Sequence, residues 1–469
     1  MEQTRSNEQI IKLIQQNGMS ADFISDLLEN HSNIANDSKR AYQNYKSKSL
    51  PIQSRTLLDP NKINSKLNLS FRALIVDQGL GYAFGIPVTH EIKNTEISLN
   101  QDKYTEKEIF QANMLLKDFI IKTREHKKNL MQSVYSSTGG YSARLFYIDD
   151  TGNINYVVYP AWNSIFLNEF NDDSYEFGLI YYNDVNIQGE KIINVKYFDS
   201  KNVIEYEGKV ENDKKDKTFK EIATKPSVFD YMPMIKFKNN LQELNDFHMI
   251  ESLVDGIDKV VSDAQNEIEE QRLAYIVIQG TVDITKEIIR NARETGVFVI
   301  PDDAKIYYLE KSNNDGNIQN QYKILKDNIY NQSQSIDFTD DNFSGSGGSG
   351  EARKWKLLSL ETRIGMKIVE FTGSLIQCWK IVFSGLNKKL EKPIDYFDVS
   401  NVFTRNLPID LEYVAKYSKE MLGVYSKKTI YANSPIVDNP QQEIQDLEEE
   451  NKMLDLEDQF GMNDVEATE

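Results

Sequence analysis

Three long stretches of this chain repeat apolar residues every three or four positions, and another alternates them every two. Between Leu241 and Glu269 an apolar stripe runs through Leu241, Leu244, Phe247, Ile250, Val254, Ile257, Val261, Ala264 and Ile268. That spacing lays them along one face of a helix of about 29 residues, roughly 43 Å long. Glu243, Asp246, Glu251, Asp255, Asp258, Asp263, Glu267 and Glu270 fall on the other faces. A second helix is predicted from Asn317, with Ile318, Tyr322, Leu325, Ile329, Ser333 and Ile336 in its stripe. A third begins near Glu351 and aligns Leu357, Leu360, Ile364, Ile368, Phe371, Leu375, Trp379 and Val382. Met366, Val369, Ile376, Cys378 and Ile381 add a second apolar face to its far half, which predicts burial there on several sides. Gly365 and Gly373 each cost about 1 kcal/mol relative to alanine and predict a bend.

From Tyr141 to Phe237 the period shortens to two. Aromatic and β-branched residues alternate with polar ones, broken at Asp150 to Asn153, Asn171 to Asp173 and Gln188 to Glu190. This is the pattern of a strand meander with hairpin turns. Upstream, Asn61 to Val88 reads as a helix ended by Gly79 and Gly81, with Pro87 preventing its resumption. Thr105 and Glu108 have capping-box spacing ahead of a helix carrying Ile109, Leu115, Leu116, Phe119 and Ile120. Residues 1–60 are polar with short helical patches. Residues 272–312 read as a small insertion: a strand at Leu273 to Ile278, a helix at Thr285 to Thr295, and strands at Val297 to Ile300 and Ile306 to Leu309. A strand at Tyr396 to Phe403 and an amphipathic helix at Leu411 to Tyr425 follow the third long helix. The fold class is α+β.

The break between the second and third long helices is unusual. From Asp337 to Lys354 an acidic, aromatic lead-in (Asp340, Asp341, Asn342, Phe343) runs into Ser344, Gly345, Ser346, Gly347, Gly348, Ser349 and Gly350. Gly/Ser runs give mobility and close backbone approach, and long loops inside compact domains are usually functional.

With 469 residues the chain is expected to form several domains, and 40% hydrophobic content suffices for packed cores. Its one cysteine, Cys378, fits a reducing compartment. No secretory signal and no membrane span are expected. The net charge of −18 argues against a protein that coats nucleic acid. Much of that charge lies after Val437, where twelve acids face a single lysine, Lys452. That is the pattern of a solvated acidic tail.

Catalytic chemistry finds little support. His31, His90, His126 and His248 are scattered, with no second ligand at helical spacing, so neither a metal site nor a cofactor is implied. The glycine run lacks the Gly-Lys-Ser/Thr ending of a phosphate loop and does not form a nucleophile elbow. The one-sided stripes are too long for the small insertion to cover. Identical copies arranged in a ring would cover them. A non-conducting structural shell or adaptor remains the alternative, and an enzyme a more distant one.

Five segments in order then carry a resemblance. They are Asn61 through Gly81-Tyr82, Gly85 and Pro87-Val88; Pro233, Ile235, Phe237, Asn239 and Asn240; the helix–insertion–helix; Phe343-Ser344 with Ser349-Gly350 and Ala352; and Asp438 with Pro440 ahead of the Glu-rich end. Over roughly residues 40 to 450 the chain resembles the portal proteins of tailed bacteriophages, of the siphophage type. The uninterrupted glycine-serine run and Arg353-Lys354 after Ala352 depart from that pattern.

The resemblance implies a portal fold and a dodecameric ring at one capsid vertex, through which double-stranded DNA is packaged and ejected. It implies an N-terminal segment (1–60), a wing (61–240), a stem helix (241–271), a clip (272–312), a second stem helix (313–337) and a tunnel loop (338–350). A bent helix with a wing strand (351–410) and a crown with an acidic tail (411–469) complete it. The implied partners are further copies of the chain, the large terminase, head-completion or adaptor proteins, and major capsid and scaffolding proteins, with assembly in the host cytoplasm and residence in the virion. Stem packing would fall to Leu244, Phe247, Ile250, Val254, Ile257, Val261, Tyr322, Leu325 and Ile329. Lys323, Lys326, Arg353 and Lys354 would be the candidate DNA contacts.

Overall fold

The computed structural model describes residues 4–447 apart from 49, 61, 95, 99–100, 170–174, 187–188, 210–217, 273–275, 280–284, 296–304, 309–314, 340–349, 407–410, 433, 435–436, 438–442 and 445–446. Residues 1–405 and 406–469 form two compact units.

The first unit opens with helices α1 (Asn7–Asn17) and α2 (Ala21–Tyr45). Ser6 and Gln9 close a capping box at the start of α1. The 25 residues of α2 exceed the short patches read from the sequence. Both helices lay Ile10, Ile14, Ile24 and Leu27 on a five-stranded sheet, forming one core with Leu179, Val195 and Tyr197. Next come α3 (Phe71–Phe84), strands β1 (Thr89–Ile92), β2 (Glu96–Ser98) and β3 (Gln101–Asp102), then α4 (Glu106–Thr123) and α5 (Glu125–Gly139). The Thr105–Glu108 capping box is present in full.

Gly79 and Gly81 lie inside α3 rather than ending it, which corrects the expected boundary. A Cβ on Gly79 would stand 3.0 Å from Arg363 Nη2 and 3.3 Å from Ile364 Cδ1, so this glycine admits the long C-terminal helix to close approach.

The meander then forms two sheets. β4 (Tyr141–Ile148) and β5 (Ile154–Pro160) join β11 (Met234–Lys238) in the order β11-β4-β5. β6 (Ser164–Leu167), β7 (Phe177–Val185), β8 (Lys191–Phe198), β9 (Asn202–Lys209) and β10 (Phe219–Pro226) pair with their sequence neighbours, all antiparallel. Between α5 and β4, Gly140 has φ +85°, and a Cβ there would lie 1.9 Å from the Glu243 carbonyl oxygen. Only glycine fits that contact.

The first long helix, α6 (Glu251–Arg272), starts ten residues later than the apolar period predicts. Residues 241–250 are instead turns and one 3-10 turn, and Leu241 is exposed. Asn240 explains the delay: its side chain accepts from Leu244 N–H and donates to Leu244 C=O, while Glu243 is left-handed at φ 57°. The chain is thereby looped before it can wind.

Of the insertion, β12 (Ile276–Gln279), α7 (Lys286–Thr295) and β13 (Lys305–Tyr308) are described, the two strands pairing antiparallel. The strand expected at 297–300 lies outside the described residues. Helix α8 (Asp315–Gln332) follows, then α9 (Gly350–Leu386) and β14 (Val399–Val402), which pairs with β1. Along α9, Leu360, Ile364, Phe371, Leu375, Cys378, Trp379 and Val382 enter the main core, whereas Met366 and Val369 are exposed. The expected burial of that second face therefore holds at Cys378 and Ile381 but not at Met366 and Val369, which are left exposed by the described residues. The second unit contains α10 (Leu411–Met421) and α11 (Lys427–Ala432).

Candidate functional site: paired helices and the root of the central loop

Helices α6 and α8 pack on each other inside one chain. Phe247, Ile250, Val254, Ile257 and Ile329 are fully buried in the main core, with Tyr322 and Leu325 packed against it. Leu244 and Val261 are half-buried. These stripes therefore do not need like chains to cover them, contrary to expectation: the two helices largely cover one another.

The other side of α6 is not a solvated acidic face. Asp258, Ser262 and Asn266 recur every four residues, and all three are buried. Their oxygens accept the backbone N–H groups of Leu69 (3.0 Å), Leu67 (3.0 Å) and Ser65 (2.7 Å). An extended segment thus runs antiparallel to α6, its alternate amides satisfied by helix side chains one turn apart. This is why residues 63–69 are not helical, although the sequence pattern alone suggests a helix there. Burial raises the Asp258 carboxyl, against the Leu69 N–H bond and nearby Arg72. Arg72 Nη2 donates to Asp255 Oδ1 at 2.6 Å, and Arg55 pairs with Asp263, so cationic side chains brace the same helix.

At the exit of α8 the chain is held on three sides. Gln334 turns with φ 50°. Gln78 of α3 then grips the Ile336 peptide from both ends: its Nε2 donates to Ile336 C=O (2.7 Å), and its Oε1 accepts Ile336 N–H (3.0 Å). Lys326 Nζ pairs with Asp337 Oδ2 at 2.6 Å and reaches Thr339 Oγ1 at 3.1 Å. Asp337 Oδ1 also accepts from Thr339 N and Oγ1. Burial alone would raise the Asp337 carboxyl; the Lys326 and Thr339 bonds hold it below its usual range. The same pairing raises Lys326.

Beyond this root, Asp340, Asp341, Asn342, Phe343, Ser344, Gly345, Ser346, Gly347, Gly348 and Ser349 lie outside the described residues, and Gly350 opens α9. Of the candidate cations, Lys323 is exposed on α8, Lys326 is engaged with Asp337, and Arg353 and Lys354 sit in the first turn of α9. The sequence reading missed Gln78, which carries no local signal. It also missed the Asp258, Ser262, Asn266 ladder, whose strict i+4 spacing was visible.

The order of elements is a strand-rich body, a helix, a small insertion, a returning helix, a glycine-rich connection and a long helix. Residues 24–455 match the family of phage portal proteins, SPP1 Gp6-like. The chain belongs to that family. The portal protein of Bacillus phage SPP1 is 23% identical over 432 residues, covering 87% of this chain and 82% of the relative. The portal protein of Clostridium phage phiCD119 is 24% identical over 230 residues, covering 45% of this chain and 47% of that protein. This is a tailed-phage portal protein with the α+β portal fold, a capsid component of the virion. No helix among its described residues is long and apolar enough to cross a membrane.

Proposed function

We propose that this portal protein forms a dodecameric ring at one capsid vertex and conducts double-stranded DNA during packaging and ejection. The observation that carries the reading is the family match from residue 24 to 455, which includes both paired helices, the insertion between them and the glycine-rich connection. In this reading α6 and α8 are the stem and residues 272–312 are the clip, which meets the terminase during packaging and head-completion proteins afterwards. The strand-rich body is the wing, residues 338–350 are the tunnel loop, and residues 411–469 are the crown.

The charge pattern supports it. A basic bore would hold phosphates tightly and stall a moving duplex, because each neutralised phosphate releases counterions. Here Lys326 is already committed to Asp337, and Asp340 and Asp341 lead into the loop. Lys323, Arg353 and Lys354 are left as transient phosphate contacts, with Lys326 available only at the expense of its ion pair. Phe343 and the glycines give the loop reach.

Electron microscopy of the purified protein should show rings with an open bore of duplex width; closed discs would favour a non-conducting adaptor. Replacing Gly345–Gly350 with alanines should cut DNA packaging into capsids and leave ring assembly intact. Unchanged packaging would remove the loop from the mechanism.

A further inference from the structure

One face of α3 carries two anchors. Gln78 holds the Ile336 peptide at the loop root through two hydrogen bonds. One turn on, Tyr82 donates its hydroxyl to Glu361 Oε2 of α9 at 2.8 Å. Glu361 is in turn gripped by Arg405, whose Nε lies 2.9 Å from Oε2 and Nη2 2.6 Å from Oε1. Arg405 is the last residue of the first compact unit. Residues four apart on a helix share a face, so the loop root and the point where the chain leaves the first unit hang from adjacent turns of one helix. At its other end α3 is tied to the stem, through Arg72 and Asp255 of α6.

The Gln78 bond pair is specific in chemistry. The backbone of one residue offers one donor and one acceptor, and a primary amide is a side chain that answers both at once. The peptide it holds lies among buried neighbours, Ser333, Ser335 and Ile336. No other side chain is recorded on the Ile336 N–H or C=O among the described residues.

We propose that Gln78 is a positioning residue for DNA translocation. Its amide fixes where the chain leaves α8 for the central loop, and through α3 it ties that point to the Glu361–Arg405 pair. A shift of the loop root must then either break two hydrogen bonds or move α3, and with it the anchor of Arg405. This rests on the channel reading of the portal.

The test uses the full-length protein and two substitutions, Gln78→Leu and Gln78→Glu. Amide hydrogen exchange is followed in peptides spanning Ser333–Thr339, and DNA packaging is measured with the same variants. Losing the two bonds should speed exchange of this segment about tenfold. Packaging should fall while rings still form. Gln78→Glu distinguishes a clamp from general packing. As an anion it repels the Ile336 carbonyl, but once protonated it donates and accepts as the amide does. Its exchange protection should therefore recover as the pH is lowered through the carboxyl's titration, whereas Gln78→Leu should not recover.

Unchanged exchange at neutral pH in Gln78→Glu, or loss of protection with normal packaging, would overturn the proposal. Should Gln78→Leu fail to fold, the pH response of Gln78→Glu alone decides, and its absence would equally overturn it. Failure of the channel reading is distinguishable. It would appear as closed discs rather than open rings in electron microscopy, with the exchange behaviour of the Gln78 variants unaffected.

Discussion

Lys367 carries its ammonium into the interior from the middle of α9, where it lies 2.8 Å from Asp246 Oδ2 and 2.6 Å from Ser137 Oγ. Burial pushes the Lys367 ammonium down, while Asp246 opposes that shift. Burial alone would raise the Asp246 carboxyl, but Lys367 and Arg363 hold it below its usual range. Truncating one partner leaves the other charge uncompensated. Lys367→Met should therefore cost about 3–5 kcal/mol in denaturant unfolding. A second buried group sets a pH dependence. Tyr141 donates to the Ser164 carbonyl at 2.8 Å, so it accepts from His31 Nε2–H, leaving Nδ1 to accept from Tyr181. That network wants neutral imidazole, and burial, aided by Lys236, lowers His31 to about 4. The unfolded chain takes up this proton near pH 6.5 and the folded one only near 4. Stability from this group is thus complete above 6.5 and lost as the pH falls toward 4, by roughly 3 kcal/mol in all. His31→Gln should flatten that slope in unfolding free energies measured between these limits. Neither network was legible in the sequence, because each joins residues far apart along the chain.

Elements fixed by neighbouring residues were read well, and those decided by distant partners were not. The Thr105–Glu108 box is local and is found as expected. The start of α6 moved because Asn240 loops the chain back on itself, and residues 63–69 stay out of helix because α6 supplies acceptors for their alternate amides. Apolar spacing carries no information on either. Ser262 stands in the middle of that ladder, accepting from Leu67 N–H and donating to Asp258 C=O at 2.6 Å. Ser262→Ala should strand the Leu67 amide and cost about 1–3 kcal/mol. Thermal unfolding of the full chain would show it, with Ser252→Ala, at an exposed position on the same helix, as the neutral control.

At the level of the whole molecule, the order of segments was legible: the α+β class and the portal family both followed from it. What the sequence could not show was how far α6 and α8 are satisfied within one chain. The first unit closes its own cores, so a chain ended after Arg405 should fold and melt cooperatively, within a few degrees of the full-length protein. Loss of cooperative melting would show that residues 406–469 are needed for that core. The double covering of α6 has one more consequence. With α8 on one flank and the 65–69 amides on another, the outward-facing positions of α6 include Ser252, Lys259 and Asp263, the last already bound to Arg55. In the proposed ring, a neighbour reaching these positions would meet charge and hydroxyl, with Ile268 the apolar exception among the described residues. Adhesion at those positions of that ring should weaken as ionic strength rises.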